Sequence, residues 1–159
     1  MTPSNRQIRP ARLEDVAPLI ELARRSWLSA FAQTAPFPLI AWWVRADRTT
    51  AWYEQYWPEM LVLEEDGILA GVVQPMGSEI NGLWVHPGRQ RTGAGTLLLD
   101  AGEEVIRRAG HRTAWLTCSG FNVTALAFYR SRGYVETRRD RELHPSGVEV
   151  ENLRMERDL

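Results

Sequence analysis

Apolar residues along this chain of 159 residues keep two periods, and the switches between them lay out its elements. Residues 7–11, "QIRPA", read as a short strand weakened by Pro10. From 13 to 31, Val16, Leu19, Ile20, Ala23, Trp27 and Ala30 recur at helical spacing, and Asp15 near the start suits the positive end of the helix dipole. "QTAPFP" breaks that helix. Residues 37–57 then crowd Trp42, Trp43, Trp52, Tyr53, Tyr56 and Trp57 into what reads as two short helices, the second starting near Thr49 or Thr50. Apolar runs at 60–64 and 68–74 flank Asp66-Gly67, a pair suited to positive φ, and predict a hairpin. "EINGLWV" at 79–85 is a further strand.

Between 95 and 109 a helix is predicted with Leu98, Ala101, Gly102, Val105 and Ala109 on its apolar face. Glu103–Arg107 and Glu104–Arg108 form i,i+4 pairs opposite, and Gly110 terminates it. "TAWLTC" at 113–118 has the look of a buried strand. Asn122 caps a helix running to about Arg132, with Gly133 as its stop. "YVET" and "VEVENLRME" close the chain as strands, and the alternation of the second slips between Val150 and Leu153, which predicts a bulge. The order β-α-α-β-β-β-α-β-α-β-β describes one α/β domain over 1–159. Its central sheet is antiparallel in front, partly parallel behind and flanked by helices.

Composition narrows the setting. Hydrophobic residues at 44% and charged residues at 25% call for a packed core. No apolar run reaches the roughly 18 residues that span a bilayer, and the N-terminal stretch has no apolar signal core, so no membrane partner is expected. The single cysteine, Cys118, excludes an intramolecular disulfide and a Cys-based zinc cluster; a reducing cytoplasm and no metal are the expectation. A net charge of −1 gives no drive toward nucleic acid. All 19 basic residues are arginine, a usage that codon bias in a GC-rich, bacterial-type genome accounts for. The missing lysine removes Schiff-base chemistry and the lysine of a P-loop.

The candidate chemistry begins at residues 85–96, "VHPGRQRTGAGT", where a strand passes through a glycine-rich turn into a helix. Such a turn is a generic anion site, because unpaired backbone N–H groups and the helix dipole point outward together. Gly88 and Gly93 have P-loop spacing, yet Ala94 and Gly95 stand where Lys and Ser/Thr belong. Gly93-Ala94-Gly95 lacks the third glycine of a dinucleotide fingerprint. A tight turn without any ligand is the plainer alternative.

Gln90-Arg91-Thr92-Gly93-Ala94-Gly95 instead resembles the acetyl-coenzyme A loop of the GCN5-related N-acetyltransferases (GNAT). Asn122, Ala125, Phe128-Tyr129 and Gly133-Tyr134 resemble that family's second signature, with Tyr134 a mild variant. The likeness covers nearly the whole chain. It implies the acyl-CoA N-acyltransferase (GNAT) fold, an acetyl-CoA donor, and transfer to a primary amine of a small molecule or peptide N-terminus by direct attack in a ternary complex. Cofactor contacts are expected from Leu83, Trp84 and Val85 on the strand edge, from Gln90, Arg91, Thr92, Gly93, Ala94, Gly95 and Thr96 in the loop, and from Asn122 and Tyr129. Arg89 and Arg91 are candidates for phosphate oxygens.

A base must accept a proton from the amine, and Glu79 is the first candidate, resembling the strand glutamate that some members use. The other familial position is occupied here by Thr117, which cannot serve; His86 and His111 are bases on chemistry alone. The resemblance makes Tyr129 the acid that protonates the leaving thiolate. Cys118 would open a covalent route, but it sits in a buried-type strand where thiols are usually inert. The Trp-rich segment, with Glu54 and Glu59 nearby, reads either as an acceptor pocket or as the surface of a homodimer. Two rival readings are a non-catalytic acyl-CoA-binding or dimerising module, and acetylation of an RNA-linked amine drawn from "YVETRRDREL".

Overall fold

The computed structural model describes residues 5–159, so residues 1–4 of the expected domain lie outside the described residues. Seven strands form one sheet in the order β1-β2-β3-β4-β5-β7-β6. They are β1 (Arg6–Pro10), β2 (Leu61–Glu65), β3 (Ile68–Met76), β4 (Glu79–Val85), β5 (Thr113–Ser119), β6 (Val135–Leu143) and β7 (Glu149–Asp158). The helices are α1 (Val16–Phe31), α2 (Phe37–Ala46), α3 (Arg48–Tyr56), α4 (Ala94–Arg108) and α5 (Val123–Ser131). Residues 37–57 form the two short helices read from their aromatics, so three helices, not two, precede β2. Asp47, in the left-handed region at φ 39°, turns the chain between α2 and α3.

Two apolar layers sandwich the sheet. Leu98, Leu99 and Ile106 of α4 pack with Leu116, Met155 and Tyr134 on one face. Leu19 and Leu22 of α1 pack with Tyr53, Val62 and Val72 on the other. Gly102 lets α4 lie close, since a Cβ there would stand 2.9 Å from Ile80 Cδ1 and 3.0 Å from Val73 Cγ2. The buried face of α4 is rotated from the expected one. Val105 is exposed, while Ile106 and Glu103 are buried. Glu103 therefore pairs with Arg157 and accepts from the Tyr134 hydroxyl at 2.9 Å, and Glu104 alone holds Arg107 and Arg108. A glutamate counts as polar in any periodicity, so its internal partners hide the true face.

The C-terminal hairpin departs from expectation twice. Strand β6 runs on to Leu143 rather than ending near Thr137; its "TRRDRE" is fully exposed and held by charge pairing, so no apolar alternation marks it. The register of β7 is continuous through Val150–Leu153, and the irregularity lies instead in β6, between Glu136 and Arg138.

At the front of the sheet Arg9 ties β1 to the start of α1. Its guanidinium donates to both oxygens of buried Asp15, at 2.7 and 3.0 Å, and to Glu64 at 2.9 Å. The Arg9 hydrogen bonds hold the Asp15 carboxyl below its ordinary 3.8 against the opposing effect of burial. A depressed folded value contributes stability that is present above the unfolded pKa and lost as pH falls through the folded one. Asp15→Asn is expected to cost about 2 kcal/mol at neutral pH. In urea titrations at several pH values the gap to wild type should be full above about pH 5 and shrink below about pH 4.

Candidate active site

β4 and β5 are the parallel neighbours of the sheet, and they share one register pair, Glu79 with Trp115. Just past it β4 bulges: Gln74 opposes Gly82 and Pro75 opposes Ile80, so Asn81 is the extra residue. A bulge bends and twists its strand, and Pro75, with no N–H to give, sits where the ladder is already broken. Beyond this point the two strands part. In an open α/β sheet, the crevice at the carboxyl ends of diverging parallel strands is where ligands bind.

The backbone of β4 presents donors to the opening. The His86 amide donates to the Ala70 carbonyl at 2.8 Å. Antiparallel pairing alternates, so Gly82, Trp84 and His86 turn their backbone groups to β3, while those of Leu83 and Val85 face the gap. The Val85 carbonyl there is taken by the hydroxyl of buried Ser26, at 3.0 Å. Of the sequence candidates on this strand, Leu83 and Val85 offer amides to the gap. Trp84 offers none and sends its indole to the opposite layer. Ser26 is absent from the sequence reading; its position four residues before Ala30 on the apolar stripe of α1 is the signal that marks it.

The glycine loop follows. Residues 87–89 make one tight turn, and the His86 Nδ1 accepts from the Gly88 amide at 3.0 Å, which places His86 in the turn rather than over the gap. Arg91 at φ 61° and Gly93 at φ 84° are both left-handed, and Gly93 caps α4 without a side-chain bond. For arginine that conformation costs about 1 kcal/mol, strain typical of loops that clamp ligands. The first intrahelical bond is Leu97 N–H to Gly93 O at 3.1 Å, which leaves the amides of Ala94, Gly95 and Thr96 at the open helix end. A Cβ on Gly95 would come within 3.4 Å of the Phe128 ring, so the start of α4 stands close to the second half of α5.

The loop is anchored from β1 and β2. Buried Glu65 pairs with Arg6 at 2.9 Å and Arg89 at 3.2 Å, and Arg6 also donates to the Thr92 carbonyl at 2.7 Å. Arg89, a phosphate candidate from the sequence, is thus engaged by Glu65 while its side chain stays about a third exposed, at 37%. Arg91 and Gln90 are exposed, and Arg91 makes no ion pair among the described residues. The Thr92 hydroxyl donates to the Arg89 carbonyl at 2.6 Å, closing the turn.

Across the gap, the Asn122 side chain accepts from the Ala125 amide at 3.2 Å, capping α5 and leaving its NH2 group for other contacts. Tyr129, two turns beyond that cap, is buried, and burial raises its phenol above the ordinary value, so it stays protonated. No group among the described residues hydrogen-bonds its hydroxyl. Burial pushes the Cys118 thiol up to about 12. His111 is exposed past the far end of α4, and no group of three or more metal-ligating side chains occurs among the described residues.

On the α1 and α3 face, a cavity of about 360 Å³ touches the bulge of β4 at Asn81 and Gly82. Trp27, Trp43, Trp52 and Trp84 wall it. Trp27 stacks on Trp43 with centroids 4.0 Å apart, and the Trp52 indole donates to Gln74 at 2.9 Å. Ile80 meets Gly102 on the other face, so Glu79 points to the cavity side. There burial raises its carboxyl above the ordinary value, opposed by the charge of Arg154, whose guanidinium lies over the Trp115 ring at 3.9 Å. Glu54 and Glu59 are exposed and line no part of the cavity.

A strand edge open at two amides, a glycine loop, and the start of α4 set against α5 come together here as the candidate site of an acyltransferase. The model of the acetyltransferase (GNAT) family matches residues 16–134, and the chain belongs to that family. Its enzymes use acetyl-CoA as the acyl donor. A GCN5-related N-acetyltransferase from Rhodopseudomonas palustris is similar over 100% of this chain and 99% of its own, at 25% identity and a TM-score of 0.85. The PaiA N-acetyltransferase of Thermoplasma acidophilum, solved with coenzyme A, is 21% identical, covers 98% and 99% of the two chains and has a TM-score of 0.75. The putative acetyltransferase yncA of Salmonella typhimurium, solved with acetyl-CoA, is 24% identical over 98% and 95%, with a TM-score of 0.73. No curated protein matches the chain.

The anchor of the loop can be tested directly. Arg6→Met removes from buried Glu65 one of the cations that pair with it among the described residues, and with it the tether on Thr92. The variant should lose about 2 kcal/mol of stability. Amide exchange at 91–96 should speed up about tenfold relative to β5, measured by hydrogen-exchange mass spectrometry.

Proposed function

We propose that this acyltransferase moves the acetyl group of acetyl-CoA directly to a primary amine held in a ternary complex. The observation that carries the reading is the parting of β4 from β5, which exposes the Leu83 and Val85 amides between the glycine loop and Tyr129. The residues present fit coenzyme A. The loop amides of Arg91 to Thr96 and the Arg91 guanidinium suit a pyrophosphate, and the open edge suits an extended arm with two amides, which can pair like an added strand. Bound there, acetyl-CoA supplies an acyl carbon activated as a thioester.

The chain's own groups supply the remainder. The Val85 amide polarises the acyl carbonyl, a role worth about 3 kcal/mol by comparison with single-donor deletions. Ser26 holds the Val85 carbonyl, so that the amide is what the strand shows at this point. An alkyl amine titrates near about 10 and must lose a proton to react. Glu79, on the cavity side of the fork, accepts it directly or through water, and its raised pKa brings it closer to the working pH. As the C–N bond forms and the C–S bond breaks, the Tyr129 phenol gives its proton to the departing sulfur. The high pKa of Cys118 argues for this direct route over a covalent one. A buried free thiol also suits a reducing cytoplasm. The arginines of β6 are engaged by carboxylates, Arg139 by Glu136 and Glu151 and Arg141 by Glu151, which leaves little free basic surface for an RNA-linked acceptor.

Thiol release from acetyl-CoA with an amine panel tests the reading; donor binding with no turnover on any amine would favour a binding module instead. Tyr129→Phe should lower kcat about 100-fold while the Kd for coenzyme A holds. For wild type, kcat/KM should climb with pH through the raised pKa of Glu79. In Glu79→Gln the rate should fall about 100-fold and that limb should vanish. Variants within about twofold of wild type would remove these roles.

A further inference from the structure

The cavity beside the β4 bulge has a composition that selects its occupant. Its aromatic wall is preorganised: Trp27 lies parallel to Trp43 at an interplanar angle of 2°, and Trp52 is fixed by Gln74, which also accepts from Asn81 at 3.2 Å. Trp27 is itself sandwiched between Trp43 and Phe31, the latter at 4.5 Å, so a planar ring would lie against Trp52, Trp84 and the edge of that stack. The lining contains one charged side chain, Arg48, and no carboxylate. Arg48 forms no ion pair among the described residues, and its guanidinium sits 5.2 Å from the centroid of the Trp42 ring. The acidic residue next to it in sequence, Asp47, is engaged by Arg24 at 2.6 Å and by the Thr50 hydroxyl at 3.0 Å. Arg48 and Thr49, which also lines the cavity, open α3, so the positive end of that helix adds to the field at the mouth.

These features exclude one class and favour another. A polyamine needs carboxylates for its distal ammonium groups, finds none, and meets an arginine instead. A primary amine that carries an aromatic ring and a carboxylate satisfies all three features: ring among the tryptophans, carboxylate on Arg48, amine toward Asn81–Gly82 and the fork. We propose that the acceptor is an aromatic α-amino acid and that Arg48 reads its carboxylate. The proposal rests on the acetyl-transfer reading for its chemistry and on the cavity alone for its binding. The planar fork of arginine makes two bonds to a carboxylate, so loss of Arg48 removes affinity that the ring cannot restore.

Calorimetry with coenzyme A present separates the two. L-Tryptophan should bind wild type at least tenfold tighter than tryptamine, its decarboxylated analogue, and tighter than spermidine. Arg48→Leu should bring tryptophan and tryptamine within threefold of each other while circular dichroism is unchanged. Arg48→Lys should recover part of the preference. Tryptamine or spermidine binding wild type as tightly as tryptophan, no tryptophan binding at all, or a preference that survives Arg48→Leu would each overturn the assignment. Thiol release is scored separately. If the binding preference stands and no thiol appears, the acetyl-transfer reading fails and the assignment of the cavity holds. If thiol appears only with spermidine, the assignment fails and acetyl transfer holds.

Discussion

The parting of β4 and β5 is the constraint on which the rest of the site depends. Two parallel strands in full register would consume each other's amides and leave no slot. Here one shared pair at Glu79 and Trp115 joins the halves of the sheet, and the bulge at Asn81 turns β4 away at once. The halves stay one body because helices bridge them: α4 and α5 share an apolar layer that includes Leu98, Leu126 and Leu116. Thr34, in the turn just after α1, also donates to the Phe121 carbonyl at 2.7 Å. A gap in hydrogen bonding is thus tolerated in mid-sheet because packing on its faces holds it open.

That arrangement divides the labour between the two faces. Side chains of Leu83 and Val85 go to the α4 layer, while Glu79 and Trp84 go to the opposite one, and the backbone between them looks into the gap. In the proposed reading the cofactor side is built almost wholly from main chain, through the loop amides and the strand edge, whose chemistry does not depend on which side chains stand there. The proposed acceptor side is built from side chains, above all tryptophans and Arg48. Donor recognition can therefore be common to a family while acceptor recognition belongs to the individual chain, which is why membership in the family leaves the amine open.

Much of this was legible in the sequence, for identifiable reasons. The hairpin through Asp66-Gly67, the caps at Asn122 and Gly133, and the glycine loop are local signals, and each turns where its residues require. Several of the misses are places where a polar side chain finds an internal or lateral partner. Glu103 sits inside because Tyr134 and Arg157 meet it. β6 is extended because its charges pair across the hairpin. The Asn81 bulge had one visible sign, a proline at the end of an apolar strand. The faces of the cavity had none, because Trp27 and Trp43 come together from helices separated by a turn.

Glu65 has a consequence for how the molecule comes together. It joins Arg6 and Arg89, and through Arg6 it reaches Thr92. β1 and β2 are synthesised before the loop they brace, so a scaffold with a carboxylate and one of its cations can be in place when residues 89–92 leave the ribosome. The left-handed turn at Arg91 would then form against a finished wall rather than by its own preference. Donor competence is in that sense inherited from the amino-terminal edge of the sheet, some distance along the chain from any residue that touches the donor.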